Sequence, residues 1–483
     1  MDEIIPVDAR NRILWEITPG SEEIERQQHV ISTLRTALIE YSVTSGHEYN
    51  FIEPQGSTGK KQTQLKGAGD IDLFVALDPM NFEETLALPV KDRKKVLDTE
   101  LDAIVEDWFI PATRGLNPSY LMKTYSQHPY LSIEYLGTDV DILVCFDLSK
   151  EELASNGPIT AVDRTVHHSH YVAERINEKL REDIRILKSF VRASHTYGDV
   201  CPVGQMGFTG YSLELLVIQH RGINNALLSL KNLHENPIDV ENRSLVTLKQ
   251  EPAFKDNHIF IIDPTDANRN VASSFSKRAY DWLRLRTIEL IQTRNSDTES
   301  FINLILEKPV PTDPLPSWLT PHSFAYTFET DKSYHYTIVR DKLYRYARKM
   351  AGQLKTERTG EKRFGEILFE VFYAKNKFSL GFVVENYRIS EMYSRKGPPV
   401  GIEGSERFIE SHESVYEDHG YLWVDEKRRW INANDMVNDM IGRHNIKGLT
   451  LQNEATQQDA QVQNVLFRYV LPIEPDFPIR GTV

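Results

Sequence analysis

The chain has 483 residues, which is too long for one compact core, so we expect it to divide into several domains. Its hydrophobic share of 40% and charged share of 26% are ordinary for a globular protein, and a formal net charge of -14 argues against a protein coated in nucleic acid. We expect a cytoplasmic protein with no membrane contact, because it lacks a long apolar run or an apolar N-terminal signal, and its two cysteines, Cys145 and Cys201, cannot form a disulfide framework.

The first elements predict a helix, a tight turn and a strand. Ser21 is predicted to cap a helix whose apolar residues recur at helical spacing: Ile24, Ile31, Leu34 and Leu38. Gly56-Ser57 then predicts a turn. After it, Ile71, Leu73 and Val75 alternate with Asp70, Asp72 and Phe74, which indicates a strand.

The next segments favour a mixed α/β sheet. A helical pattern near residues 91–108 precedes two strand-like runs, Tyr130–Tyr135 and Val140–Phe146. One long helix is predicted from about Val172 to Ala193, and a short apolar helix from Tyr211 to Gln219.

The second half predicts a small α+β unit. Residues 231–258 are polar and indicate a loop or insertion. A basic helix is predicted near 338–356, followed by two paired strands, Ile367–Tyr373 and Phe378–Val384, with a turn at Asn376. The Gln- and Asn-rich end after about residue 452 predicts an extended arm. The basic run from Arg340 to Arg363 is interpreted either as a face that binds RNA or as a solvated helix face.

Three aspartates are the predicted catalytic residues. Residues i and i+2 of a strand share a face, so Asp70 and Asp72 can bind divalent cations from one strand. Asp141 stands at the polar start of a second apolar strand and can supply the third carboxylate. Nucleotidyl transfer by a two-metal mechanism uses two cations about 3.5–4 Å apart, and carboxylate oxygens suit Mg²⁺. A solvated acidic turn is the alternative for Asp-x-Asp alone, but the ordered combination favours the catalytic interpretation.

The Gly56-Ser57 turn offers N–H groups and a hydroxyl to a triphosphate, and Lys60 or Lys61 can add positive charge. A Walker P-loop is excluded, because Pro54 replaces the first glycine and Lys61 replaces the required Ser or Thr. His167, His168 and His170 could indicate zinc, but neither cysteine stands at a zinc-ligand spacing from them.

Several further strings give the chain a resemblance to the archaeal-type, class I CCA-adding enzymes, the tRNA nucleotidyltransferases. They occur in the expected order over about residues 20–445: Leu65-Lys66-Gly67, His128-Pro129-Tyr130, Ala161–Thr165, Leu187–Phe190, Tyr197-Gly198, Gly207–Tyr211, Asp263–Asp266, Arg269–Ala272, Glu385–Ser390 and Gly397–Pro399. The sequence differs from the family pattern at Lys60, where Arg is usual, and at Gln64, where Trp is common.

The resemblance implies an α+β multidomain fold with a polymerase-β-like nucleotidyltransferase head, a mostly helical central domain, and a C-terminal body whose tail is similar to an RNA-recognition fold. The corresponding divisions are 1–155, 156–290 and 291–451, with a C-terminal extension at 452–483. It also implies a U-shaped molecule that binds the acceptor and T arms of tRNA, often as a homodimer, with CTP and ATP as substrates and two Mg²⁺ ions.

The resemblance also assigns the nucleotide-binding residues. It implies that Ser57, Lys188 and Tyr197 bind the triphosphate. Thr165 and His167 would lie near the sugar and phosphates, and Arg269 would contact the base edge. The structural alternatives are a turn residue for Ser57, a solvated helix face for Lys188 and a core position for Tyr197. For the others they are a helix cap at Thr165, an ordinary histidine at 167, and a salt bridge from Arg269 to Asp266.

The resulting prediction is template-independent addition of CCA to the 3′ end of tRNA. The 3′-hydroxyl would attack the α-phosphate of CTP twice and of ATP once, releasing pyrophosphate. Two alternatives remain: a related enzyme that makes a nucleotide second messenger or a poly(A)-type tail, and a catalytically idle RNA-binding module. The basic segment and the tail favour a structured RNA acceptor, and the intact aspartate set argues against an idle module.

Overall fold

The computed structural model describes residues 3–295, 297–331, 335–444 and 446–479. The chain forms two compact units. The first comprises Met1–Gly198 and Met206–Lys308, and the second comprises Asp199–Gln205 and Pro309–Val483. Among the described residues, no helix is long and apolar enough to cross a membrane.

A five-stranded mixed sheet organises the first part of unit 1. Its strands are β1 (Phe51–Gln55), β2 (Ile71–Leu77), β3 (Tyr120–Tyr125), β4 (Pro129–Tyr135) and β5 (Thr138–Phe146), in the order β1-β2-β5-β4-β3. Only β2 and β5 pair in parallel. The end of β2, Leu73–Leu77, is apolar and buried without alternation, as expected for a strand covered on both faces.

The helices in this part of the chain are α1 (Val7–Ile17), α2 (Ser21–Ser45), α3 (Glu83–Leu86), α4 (Val90–Ile104), α5 (Ile110–Arg114) and α6 (Lys150–Asn156). Of these, α2, α4, α5 and α6 contribute buried residues to the core on the apolar face of the sheet. Val30, Leu34 and Leu38 recur along one side of α2 and share a core with Leu73, Val75 and Ile142 of the sheet. The opposite face of β2 and β5 carries Asp72 and Asp141 at one end, and further along it Phe74, Ala76 and Cys145 form a small buried cluster with Val166.

The rest of unit 1 is mostly helical. It contains α7 (Arg164–Ala173), α8 (Glu178–Ala193), α9 (Gly210–His220), α10 (Ile223–Lys231), α11 (Leu245–Gln250), the short strands β6 (Ile262–Asp263) and β7 (Asp266–Asn270), α12 (Lys277–Gln292) and α13 (Thr298–Ile305). A second apolar core joins α1, α8, α9, α10, α12 and α13.

Several boundaries in unit 1 differ from the sequence predictions. Ser21 is the first residue of α2 and Gly20 is its N-cap, with no side-chain hydrogen bond, so the predicted Ser21 cap is wrong. The single helix predicted from Val172 is two helices, α7 and α8, separated at residues 174–177. β3 was not predicted because its exposed edge lacks clear apolar alternation. The segment 231–258 is mostly loop, as predicted, but contains α11.

Unit 2 has a four-stranded sheet and a smaller three-stranded sheet. Its elements are β8 (Ser323–Thr330), α14 (Tyr336–Lys355), β9 (Ile367–Ala374), β10 (Lys377–Val384), β11 (Met392–Pro399), α15 (Ser405–Ser411), β12 (Tyr416–Asp418), β13 (Tyr421–Lys427), α16 (Ala433–Arg443), β14 (Leu449–Leu451) and α17 (Gln457–Val465). The sheet orders are β14-β8-β10-β9 and β11-β13-β12. The predicted basic helix and the β9–β10 hairpin, with Asn376 at a positive φ of 60°, are confirmed.

The C-terminal segment packs on unit 2, so the predicted extended arm is wrong. α17 buries Val462 and Val465 completely, together with Leu466. Gly381 of β10 makes this possible, because a Cβ atom there would lie 2.9 Å from Leu466 and 3.0 Å from Val462. The many Gln and Asn residues of the segment concealed this short apolar face.

Candidate active site

Parallel pairing of β2 and β5 brings two of the three predicted aspartates together. The register places Asp72 directly beside Asp141. Asp70 lies just before β2 and is exposed, while Asp72 and Asp141 are half-buried. All three carboxylates influence one another electrostatically. The structure therefore gathers the predicted triad at one end of β2.

Burial and mutual repulsion disfavour the charged forms of these carboxylates. Burial, Asp141 and Asp70 together raise the pKa of Asp72 to about 6. Burial also raises the pKa of Asp141, against the effect of a hydrogen bond from Ser132, and burial and Asp139 raise the pKa of Asp70. Lys61 acts in the opposite direction on Asp72. A divalent cation at this position would stabilise the charged carboxylates.

The carboxylate oxygens of this site suit a Mg²⁺ ion whose remaining ligands come from the substrate. Among the residues that the structure describes, no three Asp, Glu, His or Cys side chains converge into a ready-made cage. Mg²⁺ in nucleotide sites is held by one or two carboxylates plus substrate phosphates, so a protein cage is not required. Asp72 and Asp141 provide such a pair, with Asp70 nearby.

The Gly56-Ser57 turn lies against Asp72. Gly56 follows β1 with a φ of 68°, and a Cβ atom there would lie 2.5 Å from the Asp72 carboxylate oxygen. Only glycine permits this approach. Ser57 is half-buried in the same turn, and its carbonyl accepts a hydrogen bond from Thr63 N–H at 2.9 Å. The turn is therefore shaped by its contact with the carboxylate.

Helix α8 holds the loop that follows this turn. Arg181 donates to the Lys61 carbonyl at 3.1 Å, and Arg185 donates to the carbonyls of Gln62 at 2.8 Å and Gln64 at 3.2 Å. Lys188 donates to the Thr63 carbonyl at 3.2 Å. The three basic residues recur at helical spacing, so one face of α8 satisfies four consecutive loop carbonyls.

A buried carboxylate, Glu214 of α9, completes the anchoring of the loop. It pairs with Lys61 and Lys188, each at 2.8 Å, and accepts a hydrogen bond from Thr63 at 2.6 Å. Burial alone would raise the pKa of Glu214, but Lys188 and Lys61 outweigh it and lower the pKa to about 2. We call Lys61, Thr63, Lys188 and Glu214 the lysine–glutamate cluster. Two lysines face one carboxylate, so the cluster carries an excess positive charge.

The residues expected to bind the triphosphate lie in different surroundings. Lys188 is almost fully buried and donates to three acceptors inside the protein: Thr63 O, Thr63 Oγ1 and Glu214 Oε1. Tyr197 is close to it, since a Cβ atom at Gly210 would lie 3.0 Å from the Tyr197 hydroxyl and 3.4 Å from Lys188 Nζ. Lys60 is exposed and bonds to Glu53 at 2.8 Å and His170 at 3.2 Å.

Asp163, the residue before α7, ties the preceding loop to the end of β5. The buried Asp163 carboxylate accepts hydrogen bonds from Phe146 N–H, Ile159 N–H, Thr160 N–H and the Thr160 hydroxyl. Thr165 is the second residue of α7, so the helix-cap alternative for it does not apply. His167 lies two residues further on, with Nε2 2.8 Å from the Leu148 carbonyl.

Arg269 belongs to a network around the fully buried Asp263. Its NH1 lies 2.7 Å from Asp263, so its partner is Asp263 and not Asp266, which pairs with Arg164 at 2.8 Å. The same carboxylate accepts hydrogen bonds from Tyr211 at 3.0 Å and from Thr265, and His168 Nε2 lies 2.8 Å away. Burial would raise the pKa of Asp263, but these hydrogen bonds hold the pKa well below its usual range. About a third of the Arg269 side chain stays exposed.

Sequence reasoning missed the residues that support this site. Glu214 was detectable as the single charge within the apolar run Leu213–Ile218, and Arg181 and Arg185 as basic residues on the same helix face as Lys188. Asp163 and Asp263 hold backbone and side-chain groups in position. The sequence did not predict this role, because nothing marks the two residues except the strings that contain them.

Comparisons with known families cover both units. The second domain of tRNA nucleotidyltransferases matches residues 182–301, and the C-terminal domain of CCA-adding enzymes matches residues 323–459. Among curated relatives, the chain is 31% identical to the CCA-adding enzyme of Methanocaldococcus jannaschii over 55% of each chain. It is 25% identical to that of Pyrobaculum aerophilum over 89% of this chain and 92% of the relative.

Among solved structures, the chain is similar to CdnC of E. coli MS115-1 with ATP, with a TM-score of 0.46 and 13% identity over 63% of this chain and 99% of the other. It is also similar to a cytoplasmic RNA terminal U-transferase, with a TM-score of 0.45 and 13% identity over 63% of this chain and 98% of the other.

The lysine–glutamate cluster generates a prediction about stability. Substituting Glu214→Gln leaves two lysines buried without their anion, so we expect the free energy of unfolding at pH 7 to fall by about 3 kcal/mol. The pKa of Glu214 is lower in the folded state than its ordinary value, so its contribution is present above about pH 4.5 and is lost as the pH falls toward about 2. Urea denaturation at pH 7 and at successively lower pH measures both effects.

The matched control for this prediction is Glu178→Gln on α8. Glu178 pairs with Arg181 but is 66% exposed, so its loss should change the free energy of unfolding by no more than about 0.5 kcal/mol. Equal stability of the two variants would contradict the anchoring role of Glu214.

Proposed function

We propose that the chain is a CCA-adding enzyme, which adds CCA to the 3′ end of tRNA from CTP and ATP, without a template, in tRNA maturation and repair. The observation that carries the proposal is the aspartate triad at the end of β2, beside a glycine turn and a basic loop. The chain spans only about half of the M. jannaschii relative but nine-tenths of the P. aerophilum relative.

Asp70, Asp72 and Asp141 would hold two Mg²⁺ ions. When bound, such ions make a hydroxyl more acidic and neutralise charge on phosphate oxygens. Asp141 is set one strand away from Asp72, so it would hold the ion near the 3′-hydroxyl of the acceptor, while Asp70 and Asp72 serve the triphosphate as well. The carboxylates would also orient the attacking oxygen toward the α-phosphate, and pyrophosphate would leave from the opposite side.

The loop and helices beside the triad would bind the nucleotide. Gly56 and Ser57 present backbone and hydroxyl groups next to Asp72, and Lys60 is exposed on the same loop. The excess charge of the lysine–glutamate cluster supports binding of a polyanion there. Lys188 would act on the triphosphate mainly through this charge, because its N–H donors are engaged. Tyr197, Thr165 and His167 remain proposed contacts.

Arg269 would read the base. Asp263 fixes one edge of its guanidinium group, and the exposed remainder has donors for the acceptor atoms that cytosine and adenine share. Because one rigid arginine would serve both bases, the choice between CTP and ATP would depend on the shape of the pocket as the RNA end grows.

A cleft in unit 2 supports RNA as the acceptor. Its volume is about 430 Å³, and its lining includes Lys349, Arg358, Arg363, Arg443 and Trp430. Several basic residues of the 340–363 segment have local partners: Lys355 pairs with Glu366, Lys362 with Glu385 and Arg363 with Glu357. Within the described part of the chain, no ion pair is found for Lys349 or Arg358, so both can contact phosphates.

This cleft separates the proposal from its main rival. A synthase of nucleotide second messengers, or a poly(A)-type polymerase, would use the same carboxylates. A messenger synthase has no need of a basic surface for structured RNA, and residues 323–459 match the C-terminal domain of CCA-adding enzymes. These two observations favour tRNA as the acceptor.

Four finer expectations from the sequence stay predictions. They are the four-part division at residues 155, 290 and 451, contact with the acceptor and T arms of tRNA, a homodimer and a cytoplasmic location. Pull-down with separate acceptor-arm and anticodon-arm RNAs, together with sedimentation equilibrium, measures the contact and the oligomeric state.

Removal of any one of the three carboxylates should abolish nucleotide addition. Asp70→Ala, Asp72→Ala and Asp141→Ala each remove a cation ligand but leave the sheet intact, so the variants should fold and lose activity by at least about a thousandfold. Incorporation of labelled CTP into tRNA that lacks CCA measures the loss. As a control, Asp139→Ala removes an exposed carboxylate of β5 that was not assigned to the triad.

Among the three aspartates, Asp141 is the one whose assignment this assay tests most directly. Retention of about a tenth of the wild-type rate in Asp141→Ala would contradict its role as a cation ligand. Incorporation of label without added RNA would contradict tRNA as the acceptor and favour the messenger synthase.

The unit 2 cleft generates a prediction about RNA affinity. Lys349→Ala combined with Arg358→Ala should weaken tRNA binding by about tenfold and lower the slope of log Kd against log salt by about two, since two phosphate contacts are lost. Filter binding at several salt concentrations measures this. Arg407→Ala, on α15 of the same unit, is the charge control, and equal slopes in both variants would contradict the cleft as an RNA site.

A further inference from the structure

Four polar side chains form one row across the catalytic sheet. Gln55 of β1 lies opposite Asp72 of β2, Asp72 lies beside Asp141 of β5, and Asp141 lies opposite Ser132 of β4. Directly opposed residues of neighbouring strands point to the same face, with their Cβ atoms about 4.5–5.5 Å apart. The two proposed cation ligands are therefore flanked on both sides by a side chain that can hydrogen-bond.

Ser132 stands on the other side of this pair of carboxylates. It lies directly opposite Asp141 on the antiparallel strand β4, so its hydroxyl is placed to donate a hydrogen bond to the Asp141 carboxylate. The hydroxyl is half-buried, so it can hold one carboxylate oxygen and leave the other for a ligand.

Gln55 occupies the corresponding position beside Asp72 but is not engaged. Its side chain is only 1% exposed, and neither its Nε2 nor its Oε1 has a hydrogen-bond partner among the residues that the structure describes. A buried amide without partners is unfavourable and rare in folded proteins, so the presence of Gln55 at this position calls for an explanation. Because it is fully covered, it cannot touch a nucleotide directly.

The orientation of Asp72 supplies that explanation. One Asp72 oxygen is directed toward Gly56, the residue after Gln55, within 2.5 Å of where a Cβ atom would stand. Gln55 lies directly opposite Asp72 in the β1–β2 register, so its amide is placed to donate to a carboxylate oxygen that a bound cation leaves free. Carboxylates that ligate metals are themselves hydrogen-bonded, and loss of such a partner weakens metal binding by about 10–100-fold.

We infer that Gln55 and Ser132 are paired positioning residues, which donate hydrogen bonds to Asp72 and Asp141 respectively and orient both carboxylates for cation binding. The inference rests on the proposed function only in requiring that the carboxylates bind a divalent cation. It does not depend on the identity of the nucleotide or of the acceptor.

Direct Mn²⁺ binding to the full chain, measured from the electron paramagnetic resonance signal of free Mn²⁺, tests the inference. Gln55→Met keeps the length of the side chain and removes the amide, and Ser132→Ala removes the hydroxyl. Each should weaken Mn²⁺ binding about tenfold or more, while Ser132→Thr retains a hydroxyl and should keep the wild-type affinity. The melting temperature of cation-free Gln55→Met should equal or exceed that of the wild type, because an unpaired buried amide has been removed.

Thr138→Val is the matched control. Thr138 lies on β5 and has a buried hydroxyl without a partner in the described structure, but it is three residues from Asp141 and faces the apolar core. It should bind Mn²⁺ as the wild type does. If Gln55→Met lowers the melting temperature and leaves Mn²⁺ affinity at the control value, Gln55 is structural and the inference is overturned. If the wild type itself does not bind Mn²⁺, the proposed carboxylate site fails and the inference fails with it.

Discussion

The parallel pairing of β2 and β5 is the constraint on which the site depends. It places Asp72 beside Asp141 in a half-buried row, and their repulsion and burial raise the pKa of Asp72 to about 6. Such an arrangement is unfavourable in isolation, since neither carboxylate is neutralised by an ion pair among the described contacts of unit 1. Three neighbouring features lie next to these negative charges. They are the glycine turn against Asp72, the basic loop, and the residues with hydrogen-bonding side chains at both ends of the row.

The loop between β1 and β2 links this acidic row to a basic region. Glu214 anchors the loop from below and α8 satisfies its carbonyls, so Lys61 stays close enough to oppose the rise in the pKa of Asp72. Cations and triphosphate would thus meet between carboxylates on the sheet and ammonium groups on the loop. The Asp263 network gives Arg269 a fixed orientation on a different element, so in the proposed function base recognition would be separate from phosphate binding.

The sequence predicted the parts of this site that depend on strand periodicity. Alternation and spacing were sufficient to predict that Asp72 and Asp141 lie on neighbouring strands near the glycine turn, because strand geometry determines which side chains share a face. They could not show that Lys188 is buried against Glu214, since a helical pattern does not reveal what packs on it. The same limit applies to Arg269, whose partner is Asp263 rather than Asp266, and to α17, whose apolar residues are spaced among glutamines and fit a gap left by Gly381.

The most direct test of the central claim is the mass of the reaction product. A tRNA transcript that ends before CCA would be incubated with the wild-type protein, Mg²⁺, CTP and ATP, and its 3′ end analysed by mass spectrometry. The account predicts a single product extended by C, C and A in that order, with no product when RNA is omitted. A homopolymer tail, or a small nucleotide product formed without RNA, would contradict it.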